Sequence, residues 1–272
     1  MSDDETRPVR EQRSSLIGDL LRPITVRGGA AFAAKVRSLG VRGTAREVAR
    51  VLRNSLGMLL ARAYDRHHRV NTSGMIRAED YDGPDGNHGY LPISSRSLRG
   101  ILRRLRTDLS RYSFVDYGCG KGRAVLTAAG LPFRAVIGVE YASTLAAIAQ
   151  RNLTTWRNGA LRCPDVRIVN ADARAFEPPP GPCLLFFYSP FLPEVLQAVL
   201  ERIGQSYRAT PRPMLVVYAE DRDSPVAIPT ALFETAGFLS RRPAPRLPLD
   251  LSAPRLVDYV VYGTPEVDLP PA

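Results

Sequence analysis

The chain has 272 residues, of which 44% are hydrophobic and 24% charged, and a net charge of +10. That length and mixture suit one α/β domain with an added flank and exclude a disordered or fibrous protein. No apolar run reaches the roughly 18 residues of a membrane span, and the polar start MSDDETRPVREQRSS has no signal-peptide plan.

Three cysteines, Cys119, Cys163 and Cys183, make neither a disulfide framework nor a zinc spacing, so no metal is expected. A cytoplasmic protein without a membrane partner is the simple reading. The charge is mostly arginine: only Lys35 and Lys121 are lysine, and residues 1–70 hold 14 basic and 7 acidic side chains. That asymmetry fits either a solvated arginine-rich face, which is preferred, or a contact surface.

In chain order, residues 1–16 read as a frayed tail, and 17–92 as a basic helical extension and loop ahead of the main domain, 93–272. Two helical stretches follow the tail. In the second, Thr44 and Glu47 have capping-box spacing, and Val48, Val51, Leu52, Leu59 and Leu60 recur at helical intervals to about residue 64. The stripe is expected to pack on the main domain; a homodimer or a membrane surface is the alternative. From Asn71 to Pro92, Gly74, Gly83, Gly86 and Gly89 with Pro84 and Pro92 break the pattern. A loop that long is often functional, and Tyr81, His88 and Tyr90 are its candidate substrate contacts.

A helix over Ser95–Asp108 leads into alternating strands and helices. Strands are predicted at Tyr112–Tyr117, Ala135–Val139, Val166–Val169, Pro182–Tyr188, Met214–Tyr218 and Leu256–Tyr262. Helices are predicted at Arg123–Ala129, Ser143–Leu153, Glu194–Tyr207 and Thr230–Ala236. Regular alternation indicates a mostly parallel sheet covered on both faces.

The sharpest motif is Phe114-Val115-Asp116-Tyr117-Gly118-Cys119-Gly120-Lys121-Gly122-Arg123. An apolar strand ends in a carboxylate, and glycines follow at alternate positions, where the backbone turns tightly and a ligand can approach it. The spacing G-x-G-x-G departs from the dinucleotide fingerprint G-x-G-x-x-G. Gly122 after Lys121 leaves no hydroxyl for the magnesium of a phosphate loop. A nucleoside cofactor without a phosphate chain remains, with Asp116 facing a cationic amino group. Glu140 ends the next strand, 18 residues beyond Gly122, where it can accept both ribose hydroxyls. Asp172 follows the third strand and can accept from an adenine amino group. Three acids at successive strand ends share the crevice where open α/β sheets bind ligands.

On these residues the chain resembles class I S-adenosylmethionine-dependent methyltransferases from about Tyr112 to Tyr262. The resemblance implies a Rossmann-like seven-stranded mixed sheet flanked by helices, six strands parallel and the last antiparallel, with Leu256–Tyr262 as the reversed strand beside the fifth. It implies S-adenosyl-L-methionine as cofactor, held by Asp116, Gly118, Cys119, Gly120, Gly122 and Glu140, with Tyr141, Asp172, Ala173 and Phe187 around it. The fourth strand ends Tyr188-Ser189-Pro190-Phe191, similar to the Asn-Pro-Pro-Tyr motif of some amino-group methyltransferases. Ser189 stands where Asn would be, so the acceptor atom does not carry over. Tyr188 and Ser189 are the candidate catalytic residues, and Phe191 a substrate contact.

The acceptor is then a small molecule or a protein side chain. Two other readings stay open: a nucleic-acid-binding or nucleic-acid-modifying protein, motivated by the arginine-rich start, and a non-catalytic scaffold that keeps the cofactor site. A turn at Gly118–Gly122 filled by protein side chains would count against methyl transfer.

Overall fold

The computed structural model describes residues 28–77, 89–222, 229–248, 250, 253 and 255–268, and in its first helix the side chains from Ser38 on, Leu39 excepted. The tail, Tyr81 and His88 lie outside the described residues.

A seven-stranded sheet forms the centre, in the order β3-β2-β1-β4-β5-β7-β6. Its strands are β1 Ser113–Tyr117, β2 Ala135–Glu140, β3 Val166–Asn170, β4 Cys183–Tyr188, β5 Met214–Asp221, β6 Ser240–Arg242 and β7 Val257–Gly263. β1 to β5 pair in parallel, and β7 runs antiparallel to both β5 and β6. Six strands therefore share one direction and β7 is reversed, as the resemblance implies. The short edge strand β6 was not read from the sequence; Ser-Arg-Arg has no alternating apolar pattern to mark it.

β1, β2 and β4 are enclosed on both faces, which is why they read as unbroken apolar runs. Alternation along each strand divides the core. Phe114, Val136 and Phe186 face one side with Leu98, Ile101 and Leu102 of α2 (Ser95–Arg104). Tyr117, Phe187 and Tyr218 face the other, with Leu196, Val199 and Ile203 of α5 (Pro193–Ala209). Two helices, α3 (Arg123–Ala129) and α4 (Ser143–Thr155), link the first strands, and α6 (Thr230–Thr235) precedes β6. The strand order reverses between β1 and β4, the switch point at which such sheets open a crevice.

The N-terminal helix departs from its sequence reading. α1 runs from Gly28 to His68, with non-helical backbone at Gly40. Thr44 is no N-cap: its hydroxyl donates back to the Gly40 carbonyl, and Glu47 pairs with Arg50. The stripe does not pack on the main domain either. Val48, Leu52, Leu56, Leu59 and Leu60 are exposed, whereas Gly57, Ala61 and Asp65 are buried. The body is engaged through the last turns, where Arg123 donates to the Ala61 carbonyl at 3.3 Å. There His68 stacks on Trp156, with centroids 4.2 Å apart.

One buried ion pair docks α1. Arg123 donates to the Asp65 carboxylate at 3.0 Å, and its guanidinium lies 4.0 Å from the Tyr64 ring centroid. Asp65 also accepts from the Thr72 amide and hydroxyl. Removing one partner of a buried pair strands the other charge. Asp65→Ala is expected to lower stability in denaturant titration by about 3–5 kcal/mol. The double variant Asp65→Leu/Arg123→Met, which strands neither charge, is expected to lose less.

Candidate functional site

The glycine turn is fixed by the strand beside it. After Tyr117 the amides of Gly118 and Cys119 both donate to the Val139 carbonyl, at 2.9 and 3.0 Å. The Glu140 carboxylate then closes the turn: Oε2 accepts from the Gly120 amide at 2.7 Å and Oε1 from the Ala142 amide at 3.0 Å. On the far side the Asn152 amide group donates to the carbonyls of Lys121 and Asn71, each at 2.9 Å. Left-handed backbone at Gly118, Gly120 and Gly122 (φ 77, 53 and 83°) makes this path possible.

Above the turn lies a cleft of about 890 Å³, open solvent included, lined mainly by carbon. Asp116, Glu140 and Asp172 all line it, with Gly118, Cys119, Gly120, Tyr141 and Ala173. Tyr90, Leu91, Pro92 and Ile93 form one wall, and Phe186, Tyr188, Pro190 and Phe191 another. The sequence-predicted residues that meet here come from four separate strand ends and from the segment before α2.

Asp116 is the uncompensated group. It is 3% exposed, and no described side chain bonds or neutralises its carboxylate. Burial, and then the Glu140 charge, raise it well above the usual carboxylate range. Burial first, and then Asp116 and Glu140, push the Cys119 thiol up, so it carries no thiolate and is inert. Asp172 is already engaged: the Arg174 guanidinium forks onto it (Nη2 to Oδ2 2.6 Å) and holds it below the usual range.

Three of the predicted residues fall outside the lining of the cleft. Phe187 does not reach the cleft; it is fully buried on the opposite face, its ring stacked on Tyr117 at 4.8 Å. Register explains this. Phe186 pairs with Asp116 and points with it, while Phe187 pairs with Tyr117. Gly122 is not in the lining; it packs on Ala149 at the start of α3. Ser189 lies between two lining residues with a strained positive φ of 38°, and its hydroxyl donates to Glu220 at 2.9 Å.

Tyr90 lies directly against the turn and lines the cleft with it. Its ring occupies the space that a Cβ on Gly120 would take, 2.2 Å away, and its hydroxyl donates to the Thr72 carbonyl at 2.5 Å. Pro190 likewise lies where a Cβ on Gly118 would fall, 2.7 Å away, so side chains from two segments sit against the turn, and both line the cleft together with Asp116. Lys121, 1% exposed, donates to the Ser73 carbonyl at 2.9 Å and lies 5.4 Å from the Tyr90 centroid. The sequence singled out neither Lys121, Arg123, Asn152 nor Arg174. The one signal in reach was a charged pair, Lys121 and Arg123, inside an otherwise apolar turn and helix.

No family model and no curated protein matches the chain. Among solved structures it is similar to magnesium protoporphyrin IX methyltransferase from Synechocystis PCC 6803 with bound SAM, at 12% identity and TM-score 0.45, over 62% of this chain and 79% of that one. It is also similar to a TehB-like SAM-dependent methyltransferase from Corynebacterium glutamicum, at 13% identity and TM-score 0.43, over 61% and 86%. A 23S rRNA methyltransferase matches at 14% identity and TM-score 0.43, over 64% and 71%. At these identities and scores the likeness assigns no activity to the chain.

Two stability outcomes follow from the turn. Gly120→Ala puts a Cβ into the Tyr90 ring on left-handed backbone and is expected to cost at least about 2 kcal/mol. Adding Tyr90→Ala should relieve the clash and leave the backbone cost, so denaturant midpoints of the four proteins should show favourable coupling.

The second outcome depends on pH. The folded chain keeps the Asp116 proton where the unfolded chain has released it, so this group lowers stability as pH rises from about 4 through its folded-state value, and no further beyond. Asp116→Asn is therefore expected to be more stable than the parent at about pH 8, by roughly 1–3 kcal/mol. The advantage should shrink on approach to about pH 4, as read by thermal melts across pH.

Proposed function

We propose that the chain is an S-adenosylmethionine-dependent methyltransferase acting on a small molecule or a protein side chain. The observation that carries this reading is Asp116, a buried acid with no cation paired to it among the described residues, lining the same cleft as Glu140. Two carboxylates disfavour a phosphate chain and favour a ligand that brings positive charge and hydroxyl donors. S-adenosylmethionine offers an ammonium, a sulfonium and a ribose diol.

Asp116 would take the ammonium. Glu140, whose oxygens accept from the Gly120 and Ala142 amides, would take the ribose hydroxyls. Tyr141 and Ala173 would flank the base, and Asp172 would serve the adenine amino group only by sharing its oxygens with Arg174. The bound cofactor supplies a methyl group already activated by sulfonium, so the chain's own residues have to bind, align and exclude water. Alignment of this kind contributes about 7–11 kcal/mol in favourable cases.

Tyr188, Ser189 and Phe191 would meet the acceptor. Burial pushes the Tyr188 phenol up, which keeps it protonated, so it serves as a hydrogen-bond donor and not as a base. The strained turn at Ser189, tied to the buried Glu220, fixes the Pro190 and Phe191 wall.

Calorimetric titration with S-adenosylmethionine tests the reading. Saturable binding is expected, weakened roughly 10–100-fold in Asp116→Asn by loss of a charge-assisted contact. Incubation with labelled cofactor and fractionated extract should then label one fraction. Failure of the folded protein to bind, or equal binding by Asp116→Asn, rejects the reading; binding without transfer to any fraction leaves the scaffold.

A further inference from the structure

α1 turns its apolar side away from the body. Val41 is 77% exposed and Leu52 52%, and Val48, Leu56, Leu59 and Leu60 are exposed with them. Exposed Ala45 and Ala63 fill the positions between. On an α-helix these residues fall within about 120° of the circumference. Ala45 and Leu56, Val48 and Leu59, and Leu52 and Ala63 are each eleven residues apart. That period nearly keeps step with the helix, so the stripe runs straight for about 33 Å. Ala61 and Asp65, on the opposite face, are held to the body by Arg123, so the stripe can meet a surface without disturbing the fold.

Its edges are basic. Arg42, Arg46 and Arg53 border one side, and Arg62 and Arg66 the other toward the C-terminus. From Ser38 to His68 there are six arginines and two acids. Of the acids, Glu47 is bonded to Arg50 and Asp65 is buried on Arg123. Two copies packed stripe to stripe would border the seam with arginines and offer no exposed acid to them. Nucleic acid would neutralise the arginines but leave the leucines in water. A surface that is apolar beneath and anionic on top satisfies both.

We infer that α1 is an interfacial anchor that lays the protein on an anionic lipid bilayer, with leucines among the acyl chains and arginines at the headgroups. The inference stands independently of the methyltransferase reading. It revises the expectation of no membrane partner. No helix among the described residues is long and apolar enough to cross a bilayer, but lying in its surface requires only a one-sided stripe.

Vesicle flotation with the full chain tests the anchor, using phosphatidylcholine vesicles with and without about a third phosphatidylglycerol. At low salt the protein should float with anionic vesicles at least about tenfold more than with neutral ones, and high salt should release much of it. Leu52→Glu/Leu56→Glu changes only exposed side chains, so its melting profile should be unaltered while its binding falls at least about tenfold. Equal flotation on both vesicle types, flotation of the double variant at the parental level, or none at all would overturn the anchor. So would a stable dimer that the same two substitutions dissociate, because a second copy would then own the stripe.

Discussion

Every feature of the cleft depends on how the amides at the end of β1 are satisfied. Those of Gly118 and Cys119 are taken by Val139, that of Gly120 by Glu140, and that of Gly122 by the Cys119 carbonyl at 2.8 Å. A phosphate cradle needs such amides turned outward and unspent. Here these four are spent within the protein. The lining mixes signs, with Glu140 and Asp172 beside Arg123 and Arg174, and burial holds Asp116 toward its protonated form, with no described cation paired to it. The site thus combines a turn whose four amides are taken with a buried acid that a cation would relieve.

Holding that acid in place costs stability, and the surrounding packing makes the cost tolerable. β1 lies in the middle of the sheet between β2 and β4, and Phe114 and Val115 are wholly buried on its two faces. A central strand of this kind cannot swing outward to hydrate one carboxylate without breaking both ladders. Asp116 therefore stays where the strand puts it, which is how a rigid scaffold keeps a strained functional group.

The strand ends were legible because parallel strands of similar length bring their C-terminal residues to one edge, so Asp116, Glu140 and Asp172 could be placed by counting. What counting missed depends on pleat and on distance. Phe186 and Phe187 look interchangeable in a run of aromatics, and only pairing with Asp116 and Tyr117 decides which faces the cleft. Asp65 with Arg123, and Asn152 with Asn71, are joined by tertiary contacts across tens of residues, and no local spacing announces them. Thr44 and Glu47 had the right local spacing, but the helix already extends through them, so the hydroxyl bonds back to Gly40.

The same tertiary contacts make the helix and the cleft one mechanical unit. Asp65, near the end of α1, takes the Arg123 guanidinium from the helix that follows the glycine turn, and the amides of Thr72 and Ser73 from the segment that follows α1. The Thr72 carbonyl accepts from Tyr90, whose ring lies on Gly120, and the Lys121 ammonium reaches the Ser73 carbonyl from inside the turn. A closed circuit therefore runs from α1 through residues 72–73 to Tyr90, the turn and Arg123. Its members are mostly buried, so none can be displaced alone without exposing an unpaired charge or amide. Ala61 belongs to the same circuit: one turn before Asp65, its carbonyl accepts from the Arg123 guanidinium. The leucines are thereby left on the outside, where the body gives them nothing to bury.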